Sequence, residues 1–420
     1  MFFNIRTKPR KLPLVILHIG TEKTGTTTLQ EFVQKNRQKF SNQKLGTLNG
    51  FGRPNNRDFV AYFQKSLDDW AKHKEIFSEE EKAQYFSDFQ SRFEKEIGIL
   101  QVVASEGAVL ITSEHFSSRL RTREELDRIK EFLARYFESI KIICYFRPQE
   151  EMAISLHSTF LNGDGHKSLE NSLRQVVPED YYYNFYEIAK MWASVFGMEN
   201  LQFRIFDREK LANQDIRYDF IEAIRKLGFG LDYSKLDFSQ RPANESLNTL
   251  QGSSFSAINQ TVSYWNLPPL EGVNRENQRL KKVILNIPSL RVGNYRPESP
   301  GEVQSRFAES NRKFFDEFLP GQGFEMKKSR DTIESMPLGQ VEKIVQDLTK
   351  KLLSEKVNSH GPALLDSDAE YLRDIAIGIL DKRELSEKDA AKLLELALRI
   401  RPEGPVIQKQ FERAKNKMAE

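Results

Sequence analysis

Residues 18–30, His-Ile-Gly-Thr-Glu-Lys-Thr-Gly-Thr-Thr-Thr-Leu-Gln, set a lysine and a run of hydroxyls between an apolar stretch and an amphipathic one. The order reads strand, glycine-bearing loop, helix. The first amides of a helix have no intrahelical partner, and the helix dipole adds positive potential, so such a junction is suited to phosphate-like anions. Lys23 brings a full positive charge, and Thr24, Thr26 and Thr27 bring hydroxyl donors. Gly20 and Gly25 let the backbone turn tightly and come close to a ligand. The chemistry this spacing predicts is anion binding.

The usual triphosphate loop has two glycines five residues apart, followed by lysine and then Ser or Thr. Gly20 and Gly25 keep that separation, but Thr26 stands where the lysine would be, and the lysine lies within the loop at position 23. The run Lys23-Thr24-Gly25-Thr26-Thr27, continued by Leu29 and Gln30, instead resembles the 5′-phosphosulfate loop of sulfotransferases, in particular bacterial glycan-sulfotransferase-like proteins.

Residues 146–155, Phe-Arg-Pro-Gln-Glu-Glu-Met-Ala-Ile-Ser, add to that resemblance. Arg147 ends an apolar run, Pro148 suits a first helical turn, and Ser155 follows about two turns later. This arrangement is similar to the 3′-phosphate-binding element of the family, whose donor is 3′-phosphoadenosine 5′-phosphosulfate. Arginine fits that role because its planar fork donates paired hydrogen bonds to phosphate oxygens. Arg241-Pro-Ala-Asn-Glu-Ser246 resembles a further loop of the family, which implies that Arg241 and Ser246 also hold the nucleotide.

Sulfuryl transfer is an in-line displacement akin to phosphoryl transfer, with charge building on the leaving oxygen. Lys23 suits the leaving 5′-phosphate, and the resemblance implies a Glu or His base near the end of a central strand. Ser113-Glu114-His115 offers both; Glu114 is the first choice and His115, with a pKa nearer neutrality, the second. The acceptor implied by the resemblance is a hydroxyl on a carbohydrate. No metal is required, and the six histidines show no ligand spacing with the single cysteine.

The elements that must position these residues follow from periodicity. Short apolar strands are expected at 12–19, 109–112, 140–146 and 201–206, alternating with helices. One helix, capped by Thr122 and Glu125, is expected to carry Leu126, Ile129, Leu133 and Phe137. Another covers 78–100, and one ends near Gly228. Residues 46–58, rich in Gly, Asn and Pro, read as a surface loop. Alternating strands and helices imply an α/β fold, a parallel sheet flanked by helices. The resemblance makes it the P-loop-like sulfotransferase fold. Ligands of such sheets bind beyond the carboxyl ends of the strands, where residues 20–27, 113–115 and 147–155 are expected to meet.

A sulfotransferase domain over 1–350 is expected, with its sheet core at about 12–240 and mostly helical chain at 245–350. Residues 360–420 read as a helical appendage resembling one tetratricopeptide-like hairpin, too short for a solenoid and suited to docking a partner or self-association. Lys plus Arg number 63 against 60 Asp plus Glu, a balance that makes no case for nucleic acid. No segment approaches the roughly 20 apolar residues of a membrane span. Cys144 alone suits a reducing compartment, so a cytoplasmic location is expected. Two other readings of the loop stay open, a nucleotide kinase or hydrolase needing Mg²⁺ and a noncatalytic nucleotide-binding scaffold.

Overall fold

The computed structural model describes residues 11–239 except 164 and 166, then 301–325, 387–400 and 402–419, with isolated positions between 247 and 286 and at 373. Strands β1 (Leu12–His18), β2 (Leu45–Thr47), β3 (Ala108–Thr112), β4 (Phe137–Phe146) and β5 (Leu201–Ile205) form one sheet in the order β2-β3-β1-β4-β5. Every neighbouring pair is parallel. Parallel strands buried on both faces should be continuously apolar. Val15, Ile16, Leu17, Val109, Leu110, Ile111, Ile142, Ile143 and Cys144 are all buried.

Alternate strand residues serve two layers. Ile16, Leu110, Ile143 and Tyr145 pack with Leu29, Phe32 and Val33 of helix α1 (Thr26–Lys35) and with Phe220 and Ile224 of the helix Ile216–Lys226. A second layer is built from aromatic rings. Tyr62 stacks on Phe89 at 3.7 Å, and Phe59, Phe93 and Phe132 meet edge-on or tilted. These rings come from the helices Arg57–Phe63, Phe89–Ala104 and Arg123–Leu133.

The chain leaves β1 toward β2 on one side, whereas β4 leads to β5 on the other. The divergence between adjacent β1 and β4 opens the crevice in which an α/β sheet takes a ligand. His18 pairs in register with Thr112 of β3 and Ile143 of β4, so the loop after β1 emerges between the ends of β3 and β4.

Three local features differ from the periodicity reading. The helix expected over 78–100 is two, Glu79–Tyr85 and Phe89–Ala104. Phe86, at the break, turns its ring onto Trp70 at 5.6 Å, and Asp88 starts the next helix. Phe137 opens β4 rather than closing the preceding helix, which ends at Leu133 with its expected Thr122–Glu125 capping box. The stretch expected as surface loop at 46–58 begins as edge strand β2, and Phe51, Asn56, Arg57 and Asp58 within it are buried.

The chain divides into two compact units. The first, Met1–Met152, Val176–Asn244 and Gly301–Met326, holds the sheet; the second comprises Ala153–Gln175, Glu245–Pro300 and Lys327–Glu420. In the second, the helices Glu387–Ile400 and Pro405–Ala419 pack on each other, burying Leu394 and Ala397 on one and Ile407 and Ala414 on the other. No helix among the described residues is long and apolar enough to cross a membrane.

Candidate active site

The loop after β1 is held from below by the sheet itself. Thr21 N–H donates to the Tyr145 carbonyl at 2.8 Å and Tyr145 N–H donates to the Gly20 carbonyl at 2.7 Å, so pairing with β4 continues past the last β1 residue. The Thr24 hydroxyl, fully buried, donates to the Thr21 carbonyl at 2.6 Å and closes the loop on itself. Gly25 then sits at φ 77°, with a Cβ there only 3.2 Å from the Phe206 ring, so a side chain meets both a strained backbone and a filled space. Helix α1 starts at the next residue.

The threonines of the loop divide by direction. Thr24 and Thr26 are buried, and Thr27 is exposed in the first turn of α1. Lys23 takes φ 62°, in the left-handed region, and burial lowers its pKa while the charges of Glu22 and Glu114 oppose that shift. Arg147, from the end of β4, adds a smaller downward push. Its guanidinium donates to the Lys23 carbonyl at 3.1 Å and to Glu151 Oε2 at 3.0 Å. Arg147 therefore braces the loop carrying Lys23. Beneath the loop, His18 is fully buried against Phe220 and Tyr145, both ring nitrogens lack hydrogen-bond partners, and burial drives its pKa down to about 3.

Glu114 and His115 follow β3 and reach the same place. A Cβ on Gly20, at φ 108°, would lie 3.1 Å from the Glu114 Cα, so the absent side chain lets the two turns touch. Gln30, one helical turn into α1, donates to Glu114 Oε2 at 2.5 Å. His115 Nε2 faces the amide nitrogen of Asn55 at 3.1 Å, and its Nδ1 faces Glu22 Oε1 at 3.9 Å. Burial lowers the His115 pKa, with Glu114 and Glu22 opposing and Arg57 and Arg119 assisting. Burial thus favours the uncharged form of the His115 imidazole.

A ladder of charges extends from there. Arg119 lies 3.5 Å from Glu22 and donates through Nε to Asp68 Oδ2 at 3.0 Å, and the same Asp68 oxygen pairs with Arg57. Arg57 keeps its place by a bond to Gln64 and by packing over the Trp70 ring at 5.6 Å. The Tyr182 hydroxyl is buried without a hydrogen-bond partner, and burial followed by the charge of Glu22 raises its pKa well above the ordinary value.

The structure thus brings together Lys23, Thr27, Glu114, His115 and Arg147 of the residues expected from sequence. Ser155 is half-buried on the helix Gln149–Asn162 and belongs to the second unit. Arg241 and Ser246 lie outside the described residues. Glu22, Asn55, Arg57 and Asp68 are not singled out for chemistry by the sequence, Tyr182 reads more readily as a core aromatic than as a stacking surface, and Arg119 more readily as part of a solvated basic turn. The available signal was the polar run Asn55-Asn56-Arg57-Asp58 directly after a glycine- and proline-bearing turn. No group of His, Cys, Asp and Glu among the described residues is arranged to hold a metal ion.

No protein-family model matches the chain, and no curated protein matches it. Among solved structures it is similar to a sulfotransferase from Alicyclobacillus acidocaldarius at 14% identity and a TM-score of 0.37, covering 64% of this chain and 96% of that one. That degree of likeness carries no residue role across to this chain.

Proposed function

We propose that the first unit is a sulfotransferase, moving a sulfuryl group from 3′-phosphoadenosine 5′-phosphosulfate to an acceptor hydroxyl on a carbohydrate. The observation that carries this reading is the pairing at the β1–β4 crevice of an anion-suited helix start with Lys23 inside the loop and Arg147 bracing it. The residues present fit the nucleotide. Lys23, the first-turn amides of α1 and exposed Thr27 would hold the 5′-phosphosulfate, and Arg147 would bring a second positive charge toward a phosphate at the 3′ position. Where a Mg²⁺-nucleotide would call for a carboxylate, β4 ends in this arginine.

The transfer makes two bonds and breaks two. The acceptor oxygen attacks sulfur, the bond from sulfur to the bridging oxygen of the 5′-phosphate breaks, and its electron pair stays on the leaving phosphate beside Lys23. The hydroxyl proton passes to Glu114 or His115. The products are a sulfate ester and adenosine 3′,5′-bisphosphate. Preorganised positive charge at the leaving oxygen acts where charge develops, which is where electrostatic catalysis is strongest.

The test is transfer of radiolabel from ³⁵S-labelled donor to a panel of neutral and acidic polysaccharides, in parallel with γ-³²P-ATP and Mg²⁺. Label appearing in a polysaccharide only from the sulfur donor is the expected result. Label transferred only from ATP replaces this reading with a kinase.

A further inference from the structure

Arg147 is aimed by a segment that lies far along the chain from it. Its guanidinium donates to the Lys23 carbonyl on the donor loop and to Glu151 on the first turn of the helix Gln149–Asn162. Met152 N–H donates to the Pro148 carbonyl at 2.9 Å and closes that turn. Glu151 moves with the turn, so whatever fixes the turn fixes Arg147 as well. Gln149 and Glu150, the other two side chains of the turn, bond to the chain that begins at Gly301.

Gln149, fully buried, exchanges two hydrogen bonds with buried Asn311: its Nε2 donates to Asn311 Oδ1 at 2.8 Å, and Asn311 Nδ2 donates to its Oε1 at 3.1 Å. Gln149 Nε2 also donates to the Tyr183 carbonyl at 3.3 Å, and Gln304 Nε2 donates to Gln149 Oε1 at 2.8 Å. Gln304 Oε1 accepts from the Glu150 N–H at 3.5 Å, one of the amides that a helix start leaves unpaired. The buried Glu150 carboxylate accepts the Gly301 N–H at 2.8 Å on Oε2 and 3.0 Å on Oε1. The far segment comprises the helices Glu302–Arg306 and Ala308–Phe318, whose Phe314 and Phe318 pack on Phe146 of β4 and Phe203 of β5. Those rings alone would hold the helices against the strands. Amides buried beside them add direction, because a network in which every nitrogen and oxygen is bonded fixes one arrangement where apolar contacts allow sliding. All of these residues belong to the first unit.

We propose that Gln304 and Asn311 are positioning residues of the nucleotide site. Through Gln149 and Glu150 they fix the first helical turn, the turn carries Glu151, and Glu151 holds Arg147 at the angle from which it meets the 3′-phosphate. That last link rests on the sulfotransferase reading; the hold on the helical turn does not. An arginine fork gives paired hydrogen bonds to phosphate in one plane, so a small rotation of the turn costs the 3′ contact. The 5′ end of the site is held separately, by the main-chain pairing of Thr21 with Tyr145. Gln304 and Asn311 therefore set the preference for a nucleotide with a 3′-phosphate without having to touch it.

Calorimetric titration of the full chain in EDTA compares adenosine 3′,5′-bisphosphate with adenosine 5′-monophosphate, which lacks the 3′ group. Gln304→Ala and Asn311→Leu should each weaken the bisphosphate about 10–100-fold, the loss when a hydrogen bond to a charged group goes unmade, and the monophosphate less than about twofold. In an Arg147→Ala background the same substitutions should add no further loss, because all three act through one guanidinium. Equal losses for the two nucleotides, or losses that add in full to that of Arg147→Ala, overturn the proposal, as does an unchanged preference. Gln304 is half-buried, so Gln304→Ala decides alone if Asn311→Leu does not fold. Amide hydrogen exchange reads the hold on the turn by itself. Residues 149–152 should exchange faster in Gln304→Ala than in the wild type, and an unchanged rate overturns that hold. A wild type that binds both nucleotides equally, with exchange accelerated in the variant, sinks the donor reading and leaves the hold on the turn standing.

Discussion

The two halves of the site are made of different material. The donor half, residues 19–27, is backbone: a loop carried past the end of β1 by main-chain pairing with β4 and turned by Gly25 into the open end of a helix. The half facing it is almost wholly side chain, a ladder of His115, Glu22, Arg119, Asp68 and Arg57 drawn from separate segments. A backbone site occupies one stretch of sequence, because consecutive amides must point the same way. A side-chain network has no such requirement. The donor half should therefore fail through charge and backbone geometry, and the other half through loss of single partners.

The largest effect is expected at the one donor-half side chain that bears positive charge. Lys23→Ala should lower the transfer rate about 10²–10³-fold, the usual loss for removing a group that stabilises charge developing in the transition state. Single-turnover kinetics with labelled donor measure it, and a rate within about twofold of wild type would remove Lys23 from the chemistry. Next comes backbone. Gly25→Ala forces an L-residue to φ 77° and drives Cβ toward Phe206, at a cost of about 1–3 kcal/mol. Urea unfolding should show that loss, together with weakened binding of adenosine 3′,5′-bisphosphate. Unaltered stability would mean that the glycine turn is not what shapes the donor half.

A substitution on the ladder tests whether the halves are separable. Asp68→Asn removes the charge shared by Arg57 and Arg119 and should cost about 1–2 kcal/mol, a partly exposed carboxylate contributing less than a fully buried one. It should raise KM for the acceptor and leave nucleotide affinity alone, and the reverse pattern would join the two halves into one. The smallest effect at neutral pH belongs to His18, which supports the loop as an uncharged ring. Its folded pKa of about 3 lies below the unfolded value near 6.5, so the unfolded state binds the extra proton. Its contribution is fully present above pH 6.5 and is lost as pH falls toward 3. His18→Phe should reduce the slope of stability against pH between 6 and 4 by about 1.4 kcal/mol per unit. A slope identical to wild type would mean that His18 is charged in the folded protein.

This contrast of materials also explains what could be read from the chain. The strands were legible because both faces of the sheet are covered, which makes β1, β3 and the second half of β4 apolar runs. Arg147 was legible because it stands immediately after such a run, and Lys23 and Glu114 because they lie in the turns that follow β1 and β3. Thr24 was read as a ligand donor from its type alone, while its hydroxyl is spent on Thr21 within the loop; only the folded backbone gives that direction. Residues 51–58 look like surface chain because Gly, Asn and Pro signal turns, yet Asn56 donates to the Thr112 carbonyl and Phe51 sits among the rings of Phe59 and Phe89. Turn chemistry says how a segment bends, not what it bends toward. Glu22 shows the same limit at shorter range: one position from Lys23, it had no partner in the sequence, since Arg119 and His115 lie far along the chain.

The central claim is that residues 19–27 with Lys23 hold a nucleotide whose 5′ end carries the transferred group. Isothermal titration calorimetry with adenosine 3′,5′-bisphosphate in EDTA tests it on the full chain, beside ATP with and without Mg²⁺, for the wild type and Lys23→Ala. The account predicts metal-independent binding of the bisphosphate, tighter than that of ATP and weakened at least about tenfold in Lys23→Ala, a change of about 1.4 kcal/mol. Binding of ATP only with Mg²⁺, or bisphosphate binding indifferent to Lys23, would contradict it.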